Sequence, residues 1–292
     1  MNKYMRAVGF SKYKKREQLN KLLEAACRKP DIYHAYADGE GDTLFELTKM
    51  TGKGIGLTWS GILEGMDKQC EYCYPVVTGE EYMIKDVVSV EERVTGNSYV
   101  GAFEDLRAGV FIIFFLQNGI EYVETLGKSQ EKKTDKRKVS LSGLAVDGTI
   151  LLPLALTEQS FQKRAREQRQ RIKLLSAARQ GDERAMESLA YQDMNTYTKV
   201  SKRIQTEDVF SIVESSFMPY GIECDQYSII ADIMKVERVV NIFTEEEIWK
   251  LKLNYNGIII DTCINSLDLV GEPVPGRRFK GNLWLQGTLK CD

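Results

Sequence analysis

The chain has 292 residues, of which 43% are hydrophobic and 28% are charged, and its formal net charge is −2. This composition excludes a disordered chain, and the small net charge excludes a surface that attracts nucleic acid or anionic lipid everywhere. The single histidine, His34, excludes a metal site built from several histidines. A general-base mechanism would depend on His34 alone, and a packing or surface histidine is the favoured interpretation.

The N-terminus and the apolar segments predict a soluble protein of the cytoplasm. The first ten residues lack the apolar core of a signal peptide. The longest apolar run, 110–116, is far shorter than the ~20 residues that a membrane helix needs. Six cysteines without a secretion signal are then expected to be reduced thiols.

The first half of the chain is predicted to form one helix followed by strands. Apolar residues recur at helical spacing from Lys14 to Arg28. The predicted strands are 43–50, 54–63, 82–90, 109–116, 120–126, 139–146 and 149–152. Asn118-Gly119 and Asp147-Gly148 are typical two-residue hairpin turns, so each pair is predicted to join the strands beside it.

The middle of the chain is predicted to be helical. A first helix can be capped by Thr157 and ends where Gly181 supplies a residue that favours left-handed backbone. Asp182 can cap the next helix. A last helix, capped by Thr206, is predicted to run through residue 217.

The C-terminal part returns to strands, with an Asn256-Gly257 hairpin at its centre. This turn places Lys252 opposite Asp261 and brings the apolar faces of both strands together. A final strand alternates Phe279, Leu283, Leu285 and Leu289 with Lys280, Asn282, Trp284, Gln286, Thr288 and Lys290. Glycines on its apolar side indicate a curved sheet.

These patterns predict an α+β protein with antiparallel sheets and a central helical segment. The C-terminal strands are expected to form a curved sheet or a small, partly open β-barrel. The chain is predicted to divide into an N-terminal α+β part, 1–156, and a part at 157–292 that joins the helical segment to the antiparallel strands.

Three segments of the C-terminal half resemble a known family. They are Gly221-Ile-Glu-Cys-Asp-Gln-Tyr-Ser228, Cys263-Ile-Asn-Ser-Leu-Asp-Leu-Val-Gly-Glu-Pro273 and Gly276-Arg-Arg-Phe-Lys-Gly-Asn-Leu-Trp-Leu-Gln-Gly287. They are similar to a family of uncharacterised cytoplasmic proteins from clostridia-like bacteria, grouped as a domain of unknown function. The similarity covers most of the chain and is densest after Gly181. It implies a cytoplasmic setting and brings no catalytic residues with it.

The candidate ligand-binding residues are Arg277, Arg278, Lys280 and Trp284. Arginine forks can bind phosphate or carboxylate, and an aromatic ring on a polar strand face can stack on a base. The favoured alternative is structural: the tryptophan is covered by a helix, and the arginines pair with acidic residues.

Other patterns are weaker. Cys70-Glu-Tyr-Cys73 lacks the second cysteine pair that a structural zinc site needs, so both cysteines are interpreted as incidental. Glu223, Asp225 and Asp232 match no cation-binding loop, and a solvated strand end is favoured. The basic segment 128–138 is interpreted as a solvated loop.

The leading hypothesis is a non-enzymatic binding or regulatory protein without a cofactor or a metal. Protein partners and a homo-oligomer stay open, and no membrane association is expected. The alternative is a binder of nucleic acid or nucleotide phosphate through the final strand. A hydrolase with carboxylate chemistry would need a deep pocket lined by two acids.

Overall fold

The computed structural model describes residues 2–37, 42–64, 67–85, 87–93, 98–106, 110–128, 137–153 and 158–290. The fold is α+β, as predicted. The α-helices are α1 (Asn20–Arg28), α2 (Gly119–Lys128), α3 (Glu158–Arg179), α4 (Glu183–Arg203) and α5 (Val209–Ile212), and 3-10 helices lie at Lys3–Val8, Arg16–Leu19 and Ser266–Asp268. The strands are β1 (Ile32–Ala37), β2 (Thr43–Gly52), β3 (Ile55–Glu64), β4 (Asp67–Val77), β5 (Tyr82–Lys85), β6 (Ser89–Glu92), β7 (Tyr99–Asp105), β8 (Val110–Leu116), β9 (Arg137–Leu151), β10 (Ser216–Pro219), β11 (Gln226–Val240), β12 (Glu247–Tyr255), β13 (Ile258–Asn265), β14 (Leu269–Val270) and β15 (Arg278–Leu289). No helix among these residues is long and apolar enough to cross a membrane.

The strands form two sheets. β1 to β4 make an antiparallel sheet in chain order, called here the N-terminal sheet. The other strands make a larger, mixed sheet in which β11, β12, β13, β9 and β15 close a ring. β11 closes it by pairing its first half with β15 and its second half with β12. The predicted curved C-terminal sheet is therefore a small barrel, and it recruits β9 from the first half of the chain.

The interior of the barrel is filled by the apolar faces that the sequence alternation predicts. β12 and β13 pair in the predicted register, with Lys252 opposite Asp261. Phe279, Leu283, Leu285 and Leu289 of β15 are buried in this core, together with residues such as Leu251, Leu253 and Ile260. Strict alternation across a tight turn leaves only one register that buries every apolar residue.

A second core lies between the N-terminal sheet and the outer surface of the barrel. The 3-10 helix Lys3–Val8 contributes Tyr4, Met5, Ala7 and Val8 to it, all of them buried. No helical periodicity is visible in this segment of the sequence, because two turns of 3-10 helix are too short to show it. These side chains fill the space between the N-terminal sheet and the barrel.

The prediction of a hairpin at Asn118-Gly119 is wrong, because the chain continues from there as α2. β8 already pairs with β7 on one edge, and β15 pairs with Phe115 and Leu116 on the other, so a strand returning directly from the turn has no free place beside them. The next residues fold into a helix that buries Ile120. An Asn-Gly pair favours a tight turn only where a free strand edge can accept its partner.

The prediction of a hairpin at Asp147-Gly148 is also wrong, because β9 runs through it as one strand. Both edges of β9 are paired, one by β15 and the other in turn by β5, β13 and β14. A Cβ on Gly148 would lie 2.6 Å from the Phe279 ring, so the glycine provides close packing. The Asp147 carboxylate accepts from the Asn282 side chain and backbone.

The central helices α3 and α4 follow the prediction, although Thr157 lies outside the described residues. Gly181 has a φ of +88°, the left-handed conformation that ends α3. The Asp182 side chain then accepts from the Ala185 N–H at 3.1 Å and caps α4. The apolar residues Met186, Met194 and Tyr197 of α4 are exposed.

The last predicted helix is wrong in its extent. α5 has only four residues and is capped by Asp208, and the chain then enters β10. Phe217 packs against Tyr227, with ring centroids 4.4 Å apart, and also against Tyr255. Pairing with β11 supplies backbone hydrogen bonds that a longer helix would forgo.

The predicted division of the chain at residue 156 stays a prediction. β9 precedes this position and pairs with β13 and β15, which follow it. Backbone hydrogen bonds therefore join the two predicted parts within one sheet.

Candidate functional site

The four candidate residues, Arg277 just before β15 and three on it, do not converge on one surface. Arg278 is buried, and its guanidinium donates to the backbone carbonyls of Leu152, Val213 and Phe210 at 2.6 to 3.1 Å. Arg277 donates to the Glu272 carbonyl at 2.9 Å. Arg278 thus fastens the segments before and after the helical region to the barrel.

Trp284 lies in the core between the layers and is only 7% exposed. The rings of Tyr4 and Phe115 lie 5.4 and 5.2 Å from it, and its Nε1–H donates to Asp225 at 2.9 Å. It is covered by the N-terminal 3-10 helix rather than by one of the central helices. Lys280 lies elsewhere, 4.2 Å above the Phe210 ring.

Asp225 of the acidic pattern has a structural role. Asp225 is not a solvated strand end: it is buried, accepts from Trp284 and forms an ion pair with Arg93. Cys70 and Cys73 lie in the extended strand β4. No cluster in the described part of the chain could hold a metal ion. Most of the basic segment 128–138 lies outside the described residues.

A different site emerges where the N-terminal sheet meets the start of α2 and the end of β15. A cavity of about 180 Å³ lies there, and we call it the Glu46 cavity. Its lining consists of Ile32, His34, Glu46, Thr48, Met50, Thr58, Val76, Thr78, Gly79, Tyr82, Gln117, Asn118, Glu121 and Thr288. The volume is roughly that of six liquid waters, so the space suits a small molecule.

The N-terminal sheet supplies one wall of the cavity through residues that share a face. His34 of β1 is the register partner of Glu46 on β2, and Thr48 pairs with Thr58 on β3. Register partners point to the same side of a sheet. Thr58 in turn lies opposite Tyr74 on β4, which places that phenol beside the carboxyl group.

Glu46 is the buried carboxyl group of the site. It accepts hydrogen bonds from the Tyr74 hydroxyl and from the Ile120 N–H at the start of α2. Burial raises the pKa of Glu46 from 4.5 to about 7, against the lowering effect of these two hydrogen bonds, and Glu121 adds a further increase. Glu46 therefore changes its charge near neutral pH.

A chain of hydroxyl groups leads from the cavity wall to this carboxyl. Thr48 Oγ1 and Thr58 Oγ1 are 2.7 Å apart, and Thr58 also hydrogen-bonds to the Tyr74 hydroxyl. The Thr58 hydroxyl has a single proton. When Thr58 donates that proton to the Tyr74 oxygen, it must accept a hydrogen bond from the Thr48 hydroxyl. The chain fixes Tyr74 as the donor to Glu46.

The opposite wall comes from the outer face of the barrel and is held by amide side chains. Gln117 Nε2 donates to the Val77 carbonyl at 2.9 Å and to Gln286 Oε1 at 2.7 Å. Its Oε1 accepts from Thr288 at 3.2 Å. These bonds tie the turn before α2 to both β4 and β15, so the cavity is built on rigid elements.

One hydroxyl behind this wall has no hydrogen-bond partner within the described residues. It is Ser140 Oγ, which is buried. A Cβ on Gly79 would lie only 2.0 Å from this oxygen, so the hydroxyl rests against the Gly79 backbone. The register partners of Ser140 are Tyr82 and Thr288, and both line the cavity.

One family model matches residues 5–287, and its description is "Domain of unknown function, E. rectale Gene description (DUF3881)". The chain belongs to this family. The DUF3881 match covers nearly all the strands of both sheets, which confirms the resemblance seen in the C-terminal segments. Searches of curated proteins and of solved structures found no match.

Sequence reasoning missed the centre of this site in the DUF3881 chain. Glu46 and Thr48 alternate with apolar residues in β2, which is typical of a solvent-facing strand surface. They are buried because α2 covers them, and residues 120–126 had been predicted as a strand. The isolated His34, placed on the adjacent strand, was the one signal that pointed to this region.

Proposed function

We propose that the protein is a non-enzymatic binding protein of the cytoplasm that holds a small polar molecule in the Glu46 cavity. The observation that carries the proposal is the convergence of Glu46, Glu121, His34 and several threonines on one preformed space. Ligand sites combine a few oriented polar groups with apolar walls, and Ile32, Met50 and Val76 supply apolar surface here. The five cysteines of the described residues are thiols and not disulfides, which fits a reducing compartment.

A substitution that fills the cavity tests this proposal. Thr288→Met enlarges a side chain in its lining, whereas Thr149→Met makes the same change at an exposed position on β9. Wild type and both variants would be screened against small polar molecules by thermal unfolding and by ligand-observed NMR. We expect compounds that bind the wild type and Thr149→Met but not Thr288→Met. Equal binding to all three proteins, or no binding at all, would contradict the proposal.

A hydrolase is a second candidate, favoured by one specific observation. The cavity is lined by two acids, Glu46 and Glu121, which is the condition that carboxylate chemistry requires. Burial keeps Glu46 protonated to about pH 7, as a general acid needs. Turnover of a bound compound that is lost in Glu46→Gln while binding persists would favour this candidate over simple binding.

The nucleic-acid alternative has less support from the geometry. Arg278 is occupied by backbone carbonyls, and Trp284 is covered by Tyr4. A salt-dependent oligonucleotide titration of wild type and of the double variant Arg277→Ala, Lys280→Ala tests it. Binding that is lost in the variant would favour this alternative.

A further inference from the structure

The charges around Glu46 differ from those around every other buried carboxyl group in the described residues. Asp105 is paired with Lys85, and Asp225 is paired with Arg93. Lys250 and Lys252 lower the pKa of Asp261, although burial has the larger effect and raises it on balance. Each of these carboxylates therefore has a cation from the chain itself, which offsets part of the cost of burying it.

Glu46 has no such partner. Its donors are a phenol and a backbone N–H, both neutral, and the charge that acts on it is the like charge of Glu121. No lysine or arginine appears in the cavity lining within the described ranges. The charged and titratable groups facing Glu46 are His34, Glu121, Tyr74 and Tyr82, so an ionised Glu46 meets an acidic cavity.

We infer that the ligand of this cavity is a small organic cation with N–H donors, an ammonium or guanidinium group on a short alkyl chain. The inference rests on the proposed function and names its ligand class. The cationic head would donate to Glu46 and supply the missing positive charge. Hydroxyl groups of Thr48 and Thr288 and the Glu121 carboxylate offer further acceptors, and Val76 and Met50 would contact the alkyl part.

One further observation agrees with a ligand here. Burial raises the pKa of Glu46, and no lysine or arginine is among the groups that oppose the rise. A bound cation favours the ionised form, so binding below about pH 7 must release a proton.

Matched probes of different charge test the inference. Propylammonium and propylguanidinium would be compared with neutral propanol and propionamide, with glycerol, and with propionate, by calorimetry at pH 8. We expect the cations to bind at least tenfold more tightly than the neutral probes, and propionate not to bind. If glycerol or propionamide binds more tightly than the cations, the inference is overturned while the proposed function stands. If no probe binds, both the inference and the proposed function are contradicted.

Substitutions locate the binding and separate the titrating groups. Glu46→Gln should weaken propylammonium binding at least tenfold, whereas Asp225→Asn, the same chemical change at a buried carboxyl group outside the cavity, should not. In wild type and in His34→Gln the dissociation constant should fall by up to tenfold per pH unit as pH rises toward about 7, and then level off. An unchanged affinity in Glu46→Gln, or an affinity that falls with rising pH, overturns the inference.

One further experiment distinguishes a free small molecule from a lysine side chain of a partner protein as the source of the cation. A tripeptide with a central lysine presents the same ammonium group on a partner chain. Binding of free propylammonium that is as tight as binding of the peptide supports a free small molecule. Tighter binding of the peptide supports the cationic ligand and assigns it to a partner's side chain.

Discussion

The Asp225 site beside Trp284 and the Glu46 cavity both bury a carboxyl group next to aromatic residues, but they neutralise it differently. Asp225 receives the Trp284 N–H and the Arg93 guanidinium, so the chain itself completes the site. Glu46 receives two neutral donors and faces an open space. The arrangement at Asp225 stabilises the fold. The arrangement at Glu46 leaves the ionised carboxylate without a counter-charge, which a cationic ligand can supply.

The two regions also show that residue type alone does not indicate a ligand-binding role. Arg278 and Trp284 have the chemistry of a ligand site and lie in a recognisable strand, yet their polar atoms are used within the protein. Glu46 lies in an unremarkable strand, and part of its bonding capacity faces a cavity. What distinguishes the two regions is whether a counter-charge is present, and substitutions that remove one charge at a time can test this.

The largest expected effect comes from breaking the completed site. Asp225→Asn leaves the Arg93 guanidinium without its anion, with only a neutral amide oxygen to accept from Arg93 and Trp284. Removing one partner of a buried charge pair costs about 3 kcal/mol, so we expect a loss of roughly that size in the free energy of unfolding at pH 8. Urea denaturation would measure it. A loss below ~1 kcal/mol would show that Arg93 and Asp225 contribute little to each other.

The same carboxyl-to-amide change in the cavity should have the opposite sign. The pKa of Glu46 is raised, so its contribution to stability is complete below about pH 4.5 and is lost as pH rises to about 7. Glu46→Gln removes this loss, and we expect it to raise the free energy of unfolding at pH 8 by roughly 2 kcal/mol. At pH 4 the variant should gain nothing. Destabilisation at pH 8 would contradict the idea of an uncompensated charge.

The smallest effect is expected behind the cavity wall. Ser140→Ala removes a buried hydroxyl that has no partner in the described chain and leaves the packing against Gly79 intact. An unsatisfied buried polar group costs about 1–3 kcal/mol, so we expect a gain near 1 kcal/mol by urea denaturation. A loss of stability would mean that the hydroxyl is hydrogen-bonded in solution, for example to an ordered water.

The sequence predicts those parts of the fold in which local pattern and tertiary context agree. The β12–β13 hairpin and the alternating faces of β15 follow from period-two apolar residues and a two-residue turn. The two other turn dipeptides mislead, because the strands before them are already paired on both edges, in each case on one edge by the distant β15. Whether a strand edge is free to accept a hairpin partner depends on how the barrel closes, which a local sequence pattern does not show.

The candidate site could not be predicted for a related reason. Glu46 and His34 become neighbours through the pairing of β1 with β2, which the sequence supports only weakly. Their burial then depends on α2, which exists because β8 has no free edge. The cavity thus needs a weakly signalled pairing of two neighbouring strands and a long-range contact with α2, whereas Arg277, Arg278, Lys280 and Trp284 could be selected from one short segment by residue type.

The most direct test is an NMR titration of the Glu46 side-chain carboxyl carbon in ¹³C-labelled protein, with Glu46→Gln used for assignment. We predict a midpoint near pH 7 in the free protein and a midpoint at least one unit lower when propylammonium saturates the cavity. A midpoint near 4.5 in the free protein, or no change on adding the cation, would contradict an uncompensated carboxyl group that awaits a cationic ligand.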